Sequence, residues 1–65
     1  MVKEINMKNT KTLTENILNE MAAFQLDSEK ALNGNKAAAL RCRRATLNLQ
    51  KLGAEYRKQS VIDIG

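Results

Sequence analysis

One glycine-centred turn, Asn33-Gly34-Asn35, separates two stretches of helical periodicity, and it restricts the fold of this chain more than any other feature. Glycine suits the left-handed backbone position just past a helix end, and asparagine is a favoured N-cap for the helix that follows. Two helices joined by so short a turn fold back on each other. The sequence therefore predicts an all-α fold, an antiparallel two-helix hairpin with helices at about 12–32 and 36–60.

The first predicted helix begins at a capping box, with Thr12 as the N-cap and Glu15 reaching back to it. Its apolar residues recur at the three- and four-residue spacing of one helix face. The residues of this face are Leu13, Ile17, Met21, Phe24 and Ala31. We expect the first four of them to form the core of the hairpin or a self-association surface.

The second predicted helix contains a longer and more regular apolar series. Its members alternate between spacings of four and three residues, as the seam of a coiled coil does. At 100° per residue they fall within an arc of about 80°. The series is Ala38, Cys42, Ala45, Leu49, Leu52 and Tyr56. We expect these six residues to complete the core.

Both helices carry more apolar side chains than one partner helix covers. Leu40 and Leu47 lie off the seam of the second helix, and Leu18, Ala22 and Leu26 lie beside the main face of the first. The core of a hairpin of this size rarely supplies more than about 3–5 kcal/mol of folding stability. The sequence therefore favours a homodimer, most simply a four-helix bundle, over a monomer with exposed leucines.

The two ends of the chain carry weaker helical signals than its centre. Residues 1–9 are polar with scattered apolar residues, and residues 61–65 form a short, apolar C-terminal tail. We expect the N-terminal segment to be frayed, residues 10–60 to form the hairpin domain and residues 61–65 to follow it as a tail.

The composition argues against catalysis and against a metal or cofactor site. The chain has no histidine and a single cysteine, so neither a His nor a paired-Cys metal site can be assembled from it. Cys42 has no histidine to activate it and is expected to pack as a small hydrophobic residue. No apolar run is longer than that of residues 37–40, which is far short of the roughly 20 residues that span a bilayer. We expect a cytoplasmic protein that is not an enzyme, with no membrane partner and no small-molecule substrate.

Positive charge is concentrated in the second half of the sequence. Residues 1–33 have a net charge of −1, whereas residues 34–65 have a net charge of +5. On the second helix most cations fall opposite the apolar seam, along about 33 Å, while Arg41 flanks the seam. We predict that the cationic residues contact nucleic acid. They are Lys36, Arg41, Arg43, Arg44, Lys51, Arg57 and Lys58.

The spread of these cations favours contacts to the backbone of duplex DNA, which carry no base specificity. Phe24 and Tyr56 are the only aromatic residues, and both are assigned to the core. We therefore expect no aromatic side chain to be free to stack on the bases of a single strand. Three other interpretations remain open at this point. They are an RNA- or ribosome-associated basic protein, a helical module for an acidic protein partner, and a solvated basic surface with no ligand.

The second helix resembles a known family. The stretch from Gly34 to Leu47 begins Gly-Asn-Lys-Ala-Ala and continues with spaced arginines, as does the signature of the bacterial linker-histone-like proteins, known from chlamydiae and from Bacteroidetes-type bacteria. The later runs 49–52, Leu-Gln-Lys-Leu, and 56–61, Tyr-Arg-Lys-Gln-Ser-Val, are similar to the end of that signature. The resemblance covers residues 34–61 closely and the first helix in pattern only.

The resemblance implies a nucleoid-associated protein that binds and organises chromosomal DNA. In long members of the family a Lys-rich tail binds most of the DNA, and the helical part self-associates. These 65 residues do not include that tail, so the resemblance places DNA binding on the second helix. Cys42 and the apolar residues after Val61 depart from the family pattern. The cations that match it are Lys36, Arg41, Arg43, Lys51, Arg57 and Lys58.

Overall fold

The chain folds into two helices that pack against each other in antiparallel order, as the sequence predicts. The computed structural model describes residues 9–65. Helix α1 spans Thr10–Leu32 and helix α2 spans Lys36–Asp63, and residues 9–65 contain no strand. The predicted N-terminal segment, except Asn9, lies outside the described residues.

The turn between the helices has the backbone that the Asn-Gly-Asn sequence predicts. Gly34 has a φ of 97°, in the left-handed region that glycine adopts without strain. Its N–H donates to the carbonyl of Ala31 at 2.9 Å, and the N–H of Asn35 donates to the carbonyl of Lys30 at 3.0 Å. This pair of bonds is the Schellman motif that ends a helix. The side chain of Asn35 then accepts from the N–H of Ala38 at 3.0 Å and caps α2.

Helix α1 begins earlier than predicted, and the expected cap at Thr12 is wrong. Asn9 is the N-cap, and its Oδ1 accepts from the N–H of Thr12 at 2.9 Å. Thr12 therefore occupies the third position of the helix, and Glu15 is an exposed residue of its second turn. Asparagine and threonine are both good caps, and the sequence alone did not distinguish the two registers.

Helix α2 continues past its predicted end at residue 60. Val61, Ile62 and Asp63 are helical, so the predicted tail is reduced to Ile64 and Gly65. The carboxylate of Asp63 accepts hydrogen bonds from the N–H and the hydroxyl of Thr10, at 2.8 and 2.9 Å. This contact joins the last turn of α2 to the first turn of α1, at the end of the hairpin away from Gly34.

The core of the hairpin is small and is built around two alanines. Ala38 and Ala45 of α2 are 0% and 4% exposed, and Leu13 of α1 is 4% exposed. Small side chains at these positions let the helices approach closely. The other predicted core residues of both helices, except Met21, are half-buried around them. They are Ile17, Phe24, Cys42, Leu49, Leu52 and Tyr56.

Met21 does not lie in the core of the hairpin, because half of its side chain is exposed. Two successive four-residue steps from Leu13 each advance about 40° beyond a full turn. Met21 is therefore displaced about 80° around the helix from Leu13. Other large hydrophobic side chains are exposed on both helices, yet neither described helix has a stretch long and apolar enough to cross a membrane.

Candidate nucleic-acid interface

Six cationic side chains form one exposed surface on α2, which we call the basic face. At 100° per residue they occupy an arc of about 140° centred opposite the seam that packs on α1. From its first to its last member this surface extends for about 33 Å along the helix. All six side chains are exposed to solvent. The basic face consists of Lys36, Arg43, Arg44, Lys51, Arg57 and Lys58.

Arg41 does not belong to the basic face, although it was predicted to contact nucleic acid together with the other cations. Its Nε and Nη2 donate to the two carboxylate oxygens of Asp27, both at 3.1 Å. This is the one ion pair between residues of the described part of the chain. The hydrogen bond from Arg41 lowers the pKa of Asp27 below its ordinary value, and the same bond raises the pKa of Arg41.

Because Asp27 satisfies Arg41 in a bidentate pair, a phosphate would have to compete for this guanidinium. None of the six cations of the basic face is held by a carboxylate of residues 9–65. The hairpin thus separates one internally paired arginine from six cations that face solvent.

A row of apolar residues runs along the middle of the basic face. Leu40, Leu47, Ala54 and Val61 follow one another at intervals of seven residues. Leu40 and Leu47 are 42% and 58% exposed, as expected for residues off the core seam. Long arginine and lysine stems can cover such a row while their charged groups remain in water.

Lys51 stands at the edge of the basic face, where the surface turns into a groove between the helices. The Nδ2 of Asn48 in this groove donates to Oε2 of Glu20 at 3.4 Å. The groove contains acidic side chains and several amides. Lys51 therefore has acidic residues on its groove side and solvent on its other side. Its lining consists of Asn16, Asn19, Glu20, Asn48, Lys51, Leu52 and Glu55.

Cys42 lies half-buried on the seam, as the sequence predicts. Its Sγ approaches the carbonyl oxygen of Phe24 at 3.9 Å, a weak contact of the kind a packed thiol makes. Within residues 9–65 no three Cys, Asp or Glu side chains are grouped so that they could hold a metal ion.

The comparisons with known proteins give one match, to a family model. No curated protein and no solved structure matches the chain. The model of the family described as histone H1-like protein Hc1 matches residues 11–63, which include nearly all of both helices. The match covers α1 as well as α2, where the sequence resembles this family most closely. The chain therefore belongs to the histone H1-like Hc1 family.

Proposed function

We propose that this protein is a non-enzymatic nucleoid protein that binds duplex DNA through the basic face, without base specificity, and so helps to organise the chromosome. Membership of the histone H1-like family supports a role on DNA. The observation that carries the proposal is the exposure of six cations on the side of α2 turned away from α1. None of them needs to break an ion pair within residues 9–65 to reach a phosphate.

The geometry of the basic face favours backbone contacts over base readout. Its cations are spread along several helical turns, whereas base-specific contacts need polar side chains clustered where a helix enters a groove. Lys and Arg side chains that neutralise phosphates release counterions, and this term does not depend on base sequence. If each protomer engages four to six phosphates, log K falls against log salt with a slope of about −4 to −5.

The test is fluorescence anisotropy of a labelled mixed-sequence duplex at several salt concentrations. The variant Arg44→Glu/Lys58→Glu reverses two charges of the basic face. The matched control Lys11→Glu/Lys30→Glu makes the same change in net charge on exposed positions of α1. Circular dichroism checks that both variants remain helical.

We expect steep salt dependence, loss of binding in the α2 variant and much weaker effects in the α1 control. Equal losses in both variants would mean that net charge, not the basic face, controls binding. A wild-type protein that binds no duplex would overturn the proposal and direct attention to acidic protein partners. Preferred binding of an A-form RNA duplex in competition would replace DNA by RNA as the ligand.

A further inference from the structure

The side of α2 turned away from α1 exposes large aliphatic side chains among its cations. Leu40 and Leu47 lie in the middle of the basic face, and Val61 and Ile62 lie near its C-terminal end. Val61 and Ile62 are 67% and 76% exposed, more than either leucine. We call these four residues the outer aliphatic set. Because they point away from α1, packing within the hairpin does not account for them.

Cations flank the outer aliphatic set on both sides. At 100° per residue, Arg43 and Arg57 lie about 40° and 80° to one side of Leu47. Lys51 and Arg44 lie about 40° and 60° to its other side. Long cationic side chains in such positions keep their charged ends in a polar layer while the apolar atoms between them are buried.

The basic face contains no acidic residue. Helix α2 has two of them, and both lie outside the arc of about 140° that the cations occupy. Glu55 lies just beyond that arc and lines the groove, and Asp63 accepts from Thr10. The outer side of α2 therefore presents six positive charges, no negative charge and four exposed aliphatic side chains. A ligand that fits it fully has both a negative surface and an apolar interior.

An anionic phospholipid bilayer has both of these properties. Its surface potential attracts Lys and Arg side chains, and the boundary between headgroups and acyl chains accepts aliphatic side chains. The phosphates of a DNA duplex satisfy the cations but leave the aliphatic side chains without an apolar partner. A second copy that met this side with its own basic face would bring like charges together.

We propose that the basic face also binds the surface of an anionic phospholipid bilayer, with α2 lying parallel to that surface. The outer aliphatic set enters the boundary between headgroups and acyl chains, and the cations contact lipid phosphates. DNA and the bilayer use the same cations, so one protomer holds one of the two ligands at a time. This second ligand goes beyond the function proposed above and does not depend on it.

The sequence predicted no membrane partner because it has no apolar run long enough to cross a bilayer. A helix that lies on the surface needs no such run, since only one face of it is buried. The signal for surface binding is the combination of clustered cations and exposed aliphatic side chains on one helix face.

Helix α1 provides an internal comparison for this combination. It also exposes leucines, since Leu18 and Leu26 are 57% and 65% exposed. Its net charge is −2, however, so an anionic surface repels it. Exposed leucines on α1 therefore serve as controls for those on α2.

The first arm of the test is co-sedimentation of the full chain with lipid vesicles. Vesicles of phosphatidylglycerol and phosphatidylcholine in equal parts are compared with vesicles of phosphatidylcholine alone. We expect binding to the anionic vesicles only, and loss of this binding in Arg44→Glu/Lys58→Glu. Leu40→Gln/Leu47→Gln should bind these vesicles at least ~10-fold more weakly than the wild type. It should bind the labelled DNA duplex within ~2-fold of the wild type, because its cations are intact.

The second arm reports whether the outer aliphatic set leaves water. The chain has no tryptophan, so Leu47→Trp introduces a single indole at the centre of the basic face. Its fluorescence emission should shift to shorter wavelength on anionic vesicles, because the indole enters the interfacial layer. The matched control Leu26→Trp, at an exposed position of α1, should show no shift.

Four outcomes would overturn the inference. They are a wild type that binds no anionic vesicle, vesicle binding that is unchanged in either double variant, binding without an emission shift in Leu47→Trp, and an equal shift in Leu26→Trp. Sedimentation velocity tests a second copy as the occupant. If Leu40→Gln/Leu47→Gln lowers self-association and leaves vesicle binding unchanged, a second copy covers the outer aliphatic set.

The failure of this inference is distinguishable from the failure of the proposed function. A protein that binds the DNA duplex but no anionic vesicle refutes the inference and leaves the proposed function supported. A protein that binds anionic vesicles but no duplex refutes the proposed function and supports the inference. Circular dichroism checks that all variants remain helical.

Discussion

The carboxylate of Asp63 accepts two hydrogen bonds from Thr10, which lies 53 positions earlier in the sequence. The same carboxylate also accepts from the side-chain amide of Gln59 at 3.2 Å. A carboxylate at the N-terminus of α1 is favoured by the exposed N–H groups there. This contact therefore fixes the end of the hairpin that has no turn.

We predict that the contact makes stability depend on pH in the acid range. The hydrogen bonds from Thr10 and Gln59 lower the pKa of Asp63 below its ordinary value of 3.8. A lowered pKa in the folded state means that the stabilisation is complete above pH ~4 and is lost as the pH falls below it. Asp63→Asn should therefore melt at a lower temperature than the wild type at neutral pH.

Thermal melting of both proteins from neutral to acid pH measures this difference. The difference in melting temperature between the two proteins should disappear as the pH falls below ~4. Asp27 is present in both proteins and contributes equally to both curves. A difference in melting temperature that stays constant with pH would show that the Asp63 carboxylate does not titrate in the way its hydrogen bonds require.

Two glycines of the chain should respond to alanine in opposite directions. Gly34 has a φ of 97°, so Gly34→Ala forces an alanine into the left-handed region and should cost roughly 1–2 kcal/mol. Gly53 lies inside α2 with open space around it, so Gly53→Ala should add about 0.5–1 kcal/mol of stability. Urea denaturation followed by far-UV circular dichroism compares the two, and a loss in both variants would contradict the assignment of Gly53 to a regular helix.

The alanine at the centre of the core should not tolerate a larger side chain. Ala38 is 0% exposed between the helices, so Ala38→Leu should destabilise the hairpin by about 1–3 kcal/mol through overpacking. Ala37→Leu is the matched control, because its neighbour Ala37 is exposed and should change stability by less than about 0.5 kcal/mol. Equal effects at the two positions would mean that α2 does not turn Ala38 toward α1 and Ala37 toward solvent.

Two arginines three residues apart should separate folding from DNA binding. Arg41→Ala removes the ion pair with Asp27 and should lower the melting temperature slightly while leaving the salt dependence of DNA binding unchanged. Arg44→Ala should leave the melting temperature unchanged and reduce the salt slope by about 0.9, the contribution of one phosphate. Melting curves measure the stability of the two variants, and anisotropy at several salt concentrations measures their DNA binding. A reduced salt slope for Arg41→Ala would show that Arg41 also contacts DNA.

The local features of the fold could be predicted from the sequence. The turn at Gly34 and the cap at Asn35 depend on backbone preferences of single residues, and the α2 seam depends on spacing within one helix. The histone-like family was also recognisable from the residues of α2, and the family model confirms it.

What the sequence did not reveal depends on contacts between the helices. The pairing of Arg41 with Asp27 joins residues 14 positions apart across the turn, and it requires the exact rotation of both helices. The contact of Asp63 with Thr10 likewise depends on the length of both helices, since it joins the turns by which α1 and α2 extend beyond their predicted bounds. Side-chain periodicity within one helix contains no information on either contact.

The Asp63–Thr10 contact has a consequence for how the chain is connected. Because it holds the last turn of α2 beside the first turn of α1, the two ends of the hairpin meet at one pole of the molecule, with the Gly34 turn at the other. A short linker could join residue 65 to residue 9, and the chain could then be cut at Gly34 without moving either helix. Such a circular permutant would start with α2 and end with α1, so the basic face would fold from the first half of the new chain.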